Sequence, residues 1–86
     1  MAPPAVGTIL AVTPAGSLTV RAAGAEVPPE GTPVREPRTH LRGVVVRLFG
    51  PVAQPYLSVR PRRPISPAEA VRLVGATVGI DRGNEP

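Results

Sequence analysis

Side chains able to ligate a metal, relay a proton or attack a carbonyl are few in this sequence, and none stands at a spacing that assembles a reaction. His40 is the only histidine and cysteine is absent. A transition-metal site would have to rest on one imidazole and scattered carboxylates, and disulfides and thiolate ligands are excluded. His40 is expected as a surface or strand-end residue. Asp81 is the only aspartate and has no second acid placed to share its proton. Glu26, Glu30 and Glu36 fall in predicted loops and are expected to serve solubility. Ser17, Ser58 and Ser66 lack a base at any suggestive spacing. The run Gly75-Ala76-Thr77-Val78-Gly79 has neither the lysine nor the following helix of a phosphate-cradling loop. We expect no catalysis, no metal and no cofactor.

The chemistry that remains is recognition. Ten basic residues face six acidic ones, for a net charge of +4, and every basic residue is arginine. Arginine presents a planar donor fork suited to carboxylates and phosphates. The Arg60-Pro61-Arg62-Arg63 run therefore supplies candidate phosphate contacts in Arg60, Arg62 and Arg63. A barrel that reads RNA directly usually stacks bases on aromatics set among basic residues. Here there are two aromatics, Phe49 and Tyr56, both among prolines and aliphatics, which argues against a stacking platform. Direct RNA binding through the arginines stands as the rival to a protein-binding role.

Short strands must position these groups. Gly7 to Val12 reads as a first strand, closed by Thr13-Pro14-Ala15-Gly16. In Ser17 to Arg21, Leu18 and Val20 share one face and Thr19 and Arg21 the other. Four residues separate the two strands, as in a hairpin. Ala22 to Gly31 is small and Pro-rich and reads as a loop. Thr32 to Arg35 is a candidate edge strand, because proline cannot donate to a ladder. The longest strand runs from Leu41 to Phe49, with Val44, Val46 and Leu48 on one side and Leu41, Val45 and Phe49 on the other. Gly43 marks a bulge or a close backbone approach.

The stiff connector Gly50 to Pro55 leads into Tyr56 to Arg60. There Leu57 and Val59 point inward and Tyr56, Ser58 and Arg60 away. Ser66-Pro67-Ala68-Glu69 opens a helix, with Ser as N-cap, Pro at the first helical position and Glu where a capping box wants it. Gly75 closes that helix near Leu73. Thr77 to Ile80 is the last strand, and Asp81 to Pro86 reads as a frayed tail.

With 86 residues, 13 Pro and 9 Gly, the chain suits one small domain with short strands and rigid loops rather than long helices. Five or six strands in so short a chain leave exposed edges unless the sheet closes. The predicted fold is all-β: a small closed six-stranded barrel over residues 5–81 with one helical turn, and short flexible tails at 1–4 and 82–86. Met1-Ala2-Pro3-Pro4 lacks the basic and apolar regions of a secretion signal. The longest strongly apolar run, Val44-Val45-Val46, is far short of the roughly 20 residues that cross a bilayer. A soluble, intracellular protein, monomeric when free, is the expectation.

One segment is more specific. Gly43-Val44-Val45-Val46-Arg47-Leu48-Phe49-Gly50-Pro51-Val52-Ala53-Gln54-Pro55-Tyr56-Leu57-Ser58-Val59-Arg60-Pro61 closely resembles the central segment of the Gar-one family. These are small protein subunits of box H/ACA ribonucleoproteins, which convert uridine to pseudouridine at guide-directed sites. The shared pattern is a strand opening on Gly, then Phe-Gly-Pro-Val, two variable residues, Pro-Tyr, and a strand ending in a basic residue and Pro. The strand from Gly7, its hairpin return at Leu18 to Arg21, and Val74-Gly75 also look like the family. Two departures stand out: the Gly/Arg-rich tails of eukaryotic members are missing, and Arg47 occupies a position that is often acidic.

The resemblance implies a barrel of the translation-factor β-domain type. It also implies binding to the catalytic (dyskerin-type) pseudouridine synthase subunit, with guide RNA and the other H/ACA proteins met mostly indirectly. In that setting the subunit promotes substrate loading, product release and turnover during rRNA modification. The setting would be the cytoplasm of an archaeal-type cell, or the nucleolus of a eukaryotic one. Val45, Phe49, Gly50, Pro51, Val52, Pro55 and Tyr56 are then the expected partner surface, an apolar face beside a rigid corner. Taken singly, Gly50-Pro51 also fits a plain turn, Tyr56 a cap across the barrel mouth, and Phe49 the core.

Overall fold

A computed structural model describes residues 5–24 and 27–81. The expected tails at 1–4 and 82–86, and Glu26, lie outside the described residues. Six strands and one helix follow in the order β1 (Ala5–Val12), β2 (Leu18–Ala22), β3 (Pro33–Glu36), β4 (Leu41–Phe49), β5 (Tyr56–Pro61), α1 (Pro67–Leu73) and β6 (Thr77–Ile80). The strands close into a barrel in the order β1-β2-β5-β4-β3-β6, with β6 returning to β1 and every pairing antiparallel. Closure removes the free edges that a chain this short has no other means to cover.

Alternation places the core. Leu18 and Val20 on β2, Val34 on β3, Leu41 and Val45 on β4, Leu57 and Val59 on β5, and Val78 on β6 all point inward and are buried. Each such Val or Leu contributes about 1.5–3 kcal/mol by leaving water. Gly43 is the close approach that its position suggested. A Cβ there would lie 2.7 Å from the Arg60 carbonyl oxygen and 2.8 Å from a Val59 methyl.

The helix begins as its sequence demands. The Ser66 hydroxyl accepts from the Glu69 N–H at 3.2 Å, with Pro67 at the first helical position. It ends at Leu73, and Gly75 follows with φ +90°, a left-handed conformation that glycine adopts without strain. Leu73 is buried in the core. The turn beyond it is tied to β1, where Gly75 donates to the Ile9 carbonyl at 2.8 Å and Ile9 to the Ala76 carbonyl at 2.9 Å.

Four expectations need correction. β3 is not an edge: it pairs with β4 on one side and β6 on the other, and Pro33 is accommodated because it is the first residue of the strand. Asp81 is not part of a frayed tail. It is buried, its N–H donates to the Pro33 carbonyl at 3.0 Å, and its carboxylate lies 3.5 Å from Arg42 Nε.

Glu36 is not a solvated loop acid either. It ends β3 at 2% exposure and caps the following turn, accepting from the Arg38 N–H at 2.9 Å and from the Thr39 N–H and hydroxyl at 2.8 Å each. Burial alone would raise its carboxyl, but the bonds from Arg38 and Thr39 outweigh that effect and hold it below its ordinary range.

The fourth correction concerns β4. The register shifts between Val45 and Arg47, so one extra residue, Val46, is accommodated there as a bulge. Val45 pairs with Val59 and points inward, whereas Phe49, four residues on, pairs with Tyr56 and points outward. Unbroken alternation would have put Val45 and Phe49 on one face.

Candidate partner-binding surface

Beyond the bulge, β4 and β5 run on as a hairpin to the rim of the barrel. Outward positions alternate with inward ones on both strands. Arg47 sits opposite Ser58 and Phe49 opposite Tyr56 on the outside, while Leu48 sits opposite Leu57 on the inside. Phe49 and Tyr56 stack with ring centroids 5.8 Å apart and 24° between planes, a geometry worth about 0.5–1.5 kcal/mol beyond area burial. The Arg47 guanidinium lies over the Phe49 ring, 5.0 Å from its centroid. At an exposed site such a cation–π contact adds about 0.5–1 kcal/mol. The three side chains hold one another on the outer wall.

The connector Gly50–Pro55 is short and braced. Gly50 takes φ +90°, and Tyr56 Cδ1 would be 2.7 Å from a Cβ at that position, so the turn and the ring share one space. Gln54 donates from its backbone to the Pro51 carbonyl at 3.1 Å and from its side chain to the Ala22 carbonyl at 3.2 Å. Ala22 in turn donates to the Pro55 carbonyl at 3.0 Å. With Pro51 and Pro55 fixing two backbone angles, the corner is anchored to the end of β2.

This anchored corner presents Val52 almost fully to solvent, at 96% exposure, and leaves Phe49 at 36%. Val46 and Leu48 are also exposed, the first because the bulge turns it out and the second because it reaches the open rim. The result is a patch of aliphatic and aromatic side chains on a stiff frame. Such a patch binds by removing apolar area from water, with little ordering cost on its own side.

The residues expected here sort plainly. Phe49, Gly50, Pro51, Val52, Pro55 and Tyr56 come together at the corner. Val45 does not: it is buried in the core at 1% exposure, because the bulge reverses the alternation between it and Phe49. Gly50-Pro51 does form a turn, and Phe49 is not core.

Among the basic candidates, Arg60 is exposed on the outer face opposite Val44, and Arg62 is exposed where its N–H bonds the Arg42 carbonyl at 2.8 Å. Arg63 is engaged by Glu69 through two hydrogen bonds of 2.7 and 2.5 Å. The Arg63 bond holds the Glu69 carboxyl below its ordinary range. His40 is exposed at φ +60°, and its Nδ1 lies 2.9 Å from Arg35 Nη2.

Sequence reasoning missed Arg47 and Val46 as parts of the patch. Arg47 is two residues before Phe49, the spacing of neighbours on one strand face. Val46 carries no such signal, since a bulge needs no particular side chain.

No protein-family profile matches the chain, and no curated protein matches it. No group of three or more metal-ligating side chains occurs among the described residues. No helix among them is long and apolar enough to cross a membrane.

Proposed function

We propose that this chain is a non-catalytic subunit of a box H/ACA guide RNA–protein complex for RNA pseudouridylation. In this reading the Phe49–Tyr56 corner docks on the pseudouridine synthase subunit, and the barrel promotes substrate loading, product release and turnover in rRNA processing. The compartment is the cytoplasm of an archaeal-type cell.

One observation carries the reading. The segment that resembles the Gar-one family, Gly43 to Pro61, is also the part of the barrel wall that bears the stacked rings and the braced, exposed corner. Aromatic side chains in such settings are favoured anchors at interface centres. A rigid frame keeps the entropy loss on docking small.

Co-purification with an archaeal-type synthase subunit is the test of docking, followed by multiple-turnover pseudouridylation by a reconstituted particle with and without the chain. The chain alone should be inactive, and the particle should turn over faster in its presence. Equal turnover in both arms overturns the reading. Co-purification read beside a gel shift with guide RNA separates it from a role in RNA binding alone, because only docking requires a complex with the synthase. Tight, salt-sensitive binding by the isolated chain without any synthase complex favours the rival.

A further inference from the structure

A second surface lies on the same outer wall, toward the opposite end of β4. Arg35 on β3 is the register partner of Arg42 on β4. The Arg62 N–H continues the ladder on the far side of Arg42. Three arginines therefore stand in one row across three adjacent chain segments, spaced by the roughly 4.8 Å that separates neighbouring strands. Arg60, two residues before Arg62 on the same outward face, adds a fourth cation one pleat away.

Like charges directly opposite each other in a sheet are destabilising, so the row works against the fold unless something anionic lies over it. Three of the acids among the described residues are engaged or buried. Glu36 is turned into the hairpin cap, Glu69 is committed to Arg63, and Asp81 lies 3.5 Å from Arg42 Nε, in a buried position. Among the described residues, Arg60 and Arg62 contact no carboxylate.

From these features we infer that the outer face formed by Arg35, Arg42, Arg60 and Arg62 binds the phosphate backbone of a single-stranded RNA segment. Arginine forks suit phosphate oxygens, and such contacts position a strand without reading its sequence. The row carries cations, whereas charge is depleted at the core of a protein interface.

The inference goes beyond the docking role and departs from the indirect RNA contact that the family resemblance implies. The two surfaces are separable. Arg42 and Phe49 are seven positions apart on β4, roughly 20 Å at strand rise. A partner covering about 800 Å² around Phe49 extends about 16 Å from its centre, which leaves Arg35, Arg42 and Arg62 uncovered and of the four reaches only Arg60, four positions from Tyr56 and roughly 13 Å along β5.

The test uses the full chain and a fluorescent 12-nucleotide oligouridylate, read by anisotropy over a range of salt. The unmodified chain should bind with a log–log salt slope. The pair Arg60→Gln and Arg62→Gln should lose at least tenfold in affinity and about 1.4 units of slope, as two lost phosphate contacts on a single strand require. The pair Arg21→Gln and Arg72→Gln removes the same charge elsewhere and should cost less than twofold.

Equal losses in the two pairs reduce the effect to net charge and overturn the proposal, as does absence of binding by the unmodified chain. Oligoglutamate competing as well as the RNA moves the face to an acidic protein and also overturns it. On the unmodified chain, cross-linking of a 4-thiouridine oligomer should map to β4 and the Arg60–Arg62 segment. Cross-links confined to the Phe49–Tyr56 corner contradict the placement. Retained synthase binding by the single variant Arg62→Gln, which lies beyond that footprint, distinguishes failure here from failure of the docking role.

Discussion

Gly50 makes room for the ring of Tyr56: a Cβ at position 50 would stand 2.7 Å from Tyr56 Cδ1, and the backbone there has φ +90°. The tightest point of the corner and its outer ring are thus one mechanical unit. Gly50→Ala meets both a left-handed backbone and a clash, so it should displace the ring while the core, which Gly50 does not enter, stays folded. The expected result is a loss of synthase binding of about tenfold with a thermal midpoint lowered by only a few degrees. Titration calorimetry beside a melting curve reads both quantities.

Tyr56→Ala removes the ring without touching the turn. It should weaken synthase binding by at least about 1 kcal/mol and leave far-UV circular dichroism unchanged. Unaltered affinity would assign the ring to holding Phe49 in place and nothing more.

Gly43→Ala tests the opposite end of the same strand. Its Cβ would press on the Arg60 carbonyl oxygen at 2.7 Å and a Val59 methyl at 2.8 Å, and backbone on the neighbouring strand yields little. Overpacking of this kind costs about 1–3 kcal/mol. Denaturant unfolding should show a lower midpoint with an unchanged slope.

Much of the barrel is legible in the sequence. Leu18 and Val20 against Thr19 and Arg21, and Leu57 and Val59 against Ser58 and Arg60, alternate as half-buried strands must. The Ser66-Pro67 start and the Gly75 stop framed the helix to the residue. What stayed hidden depends on partners distant in sequence or on features with no side-chain mark. The bulge at Val46 reversed the faces beyond it, so Val45 was grouped with Phe49. Glu36 looked solvated because its partners are backbone N–H groups two and three residues on, which any sequence carries. Asp81 looked frayed because Arg42 and the Pro33 carbonyl meet it only once the barrel has closed.

The Glu36 cap has a pH signature. The native carboxyl is held below its ordinary value of 4.5, so the native state favours the ionised form more strongly than the unfolded chain does. That contribution is complete above pH 4.5 and is lost as pH falls through the lower native value. The thermal midpoint of the unmodified protein should therefore decline below about pH 4.5. Glu36→Gln should be less stable at pH 7 by about 1–3 kcal/mol, because one N–H loses its acceptor. The gap between the two proteins should narrow in acid, and a gap that stays constant from pH 7 to pH 3 refutes the assignment.

Because β1 and β6 are neighbours in the barrel, with Ala5 opposite Gly79, the first and last strands meet along one seam. A short linker across that seam would join the chain into a ring, and a new opening in the exposed turn at Pro14 and Ala15, beyond the last β1–β2 pair of Val12 with Leu18, would leave every strand pairing intact. Circular permutation is thus open to this fold. A label or fusion partner can be moved from one side of the barrel to another without disturbing the Phe49–Tyr56 corner.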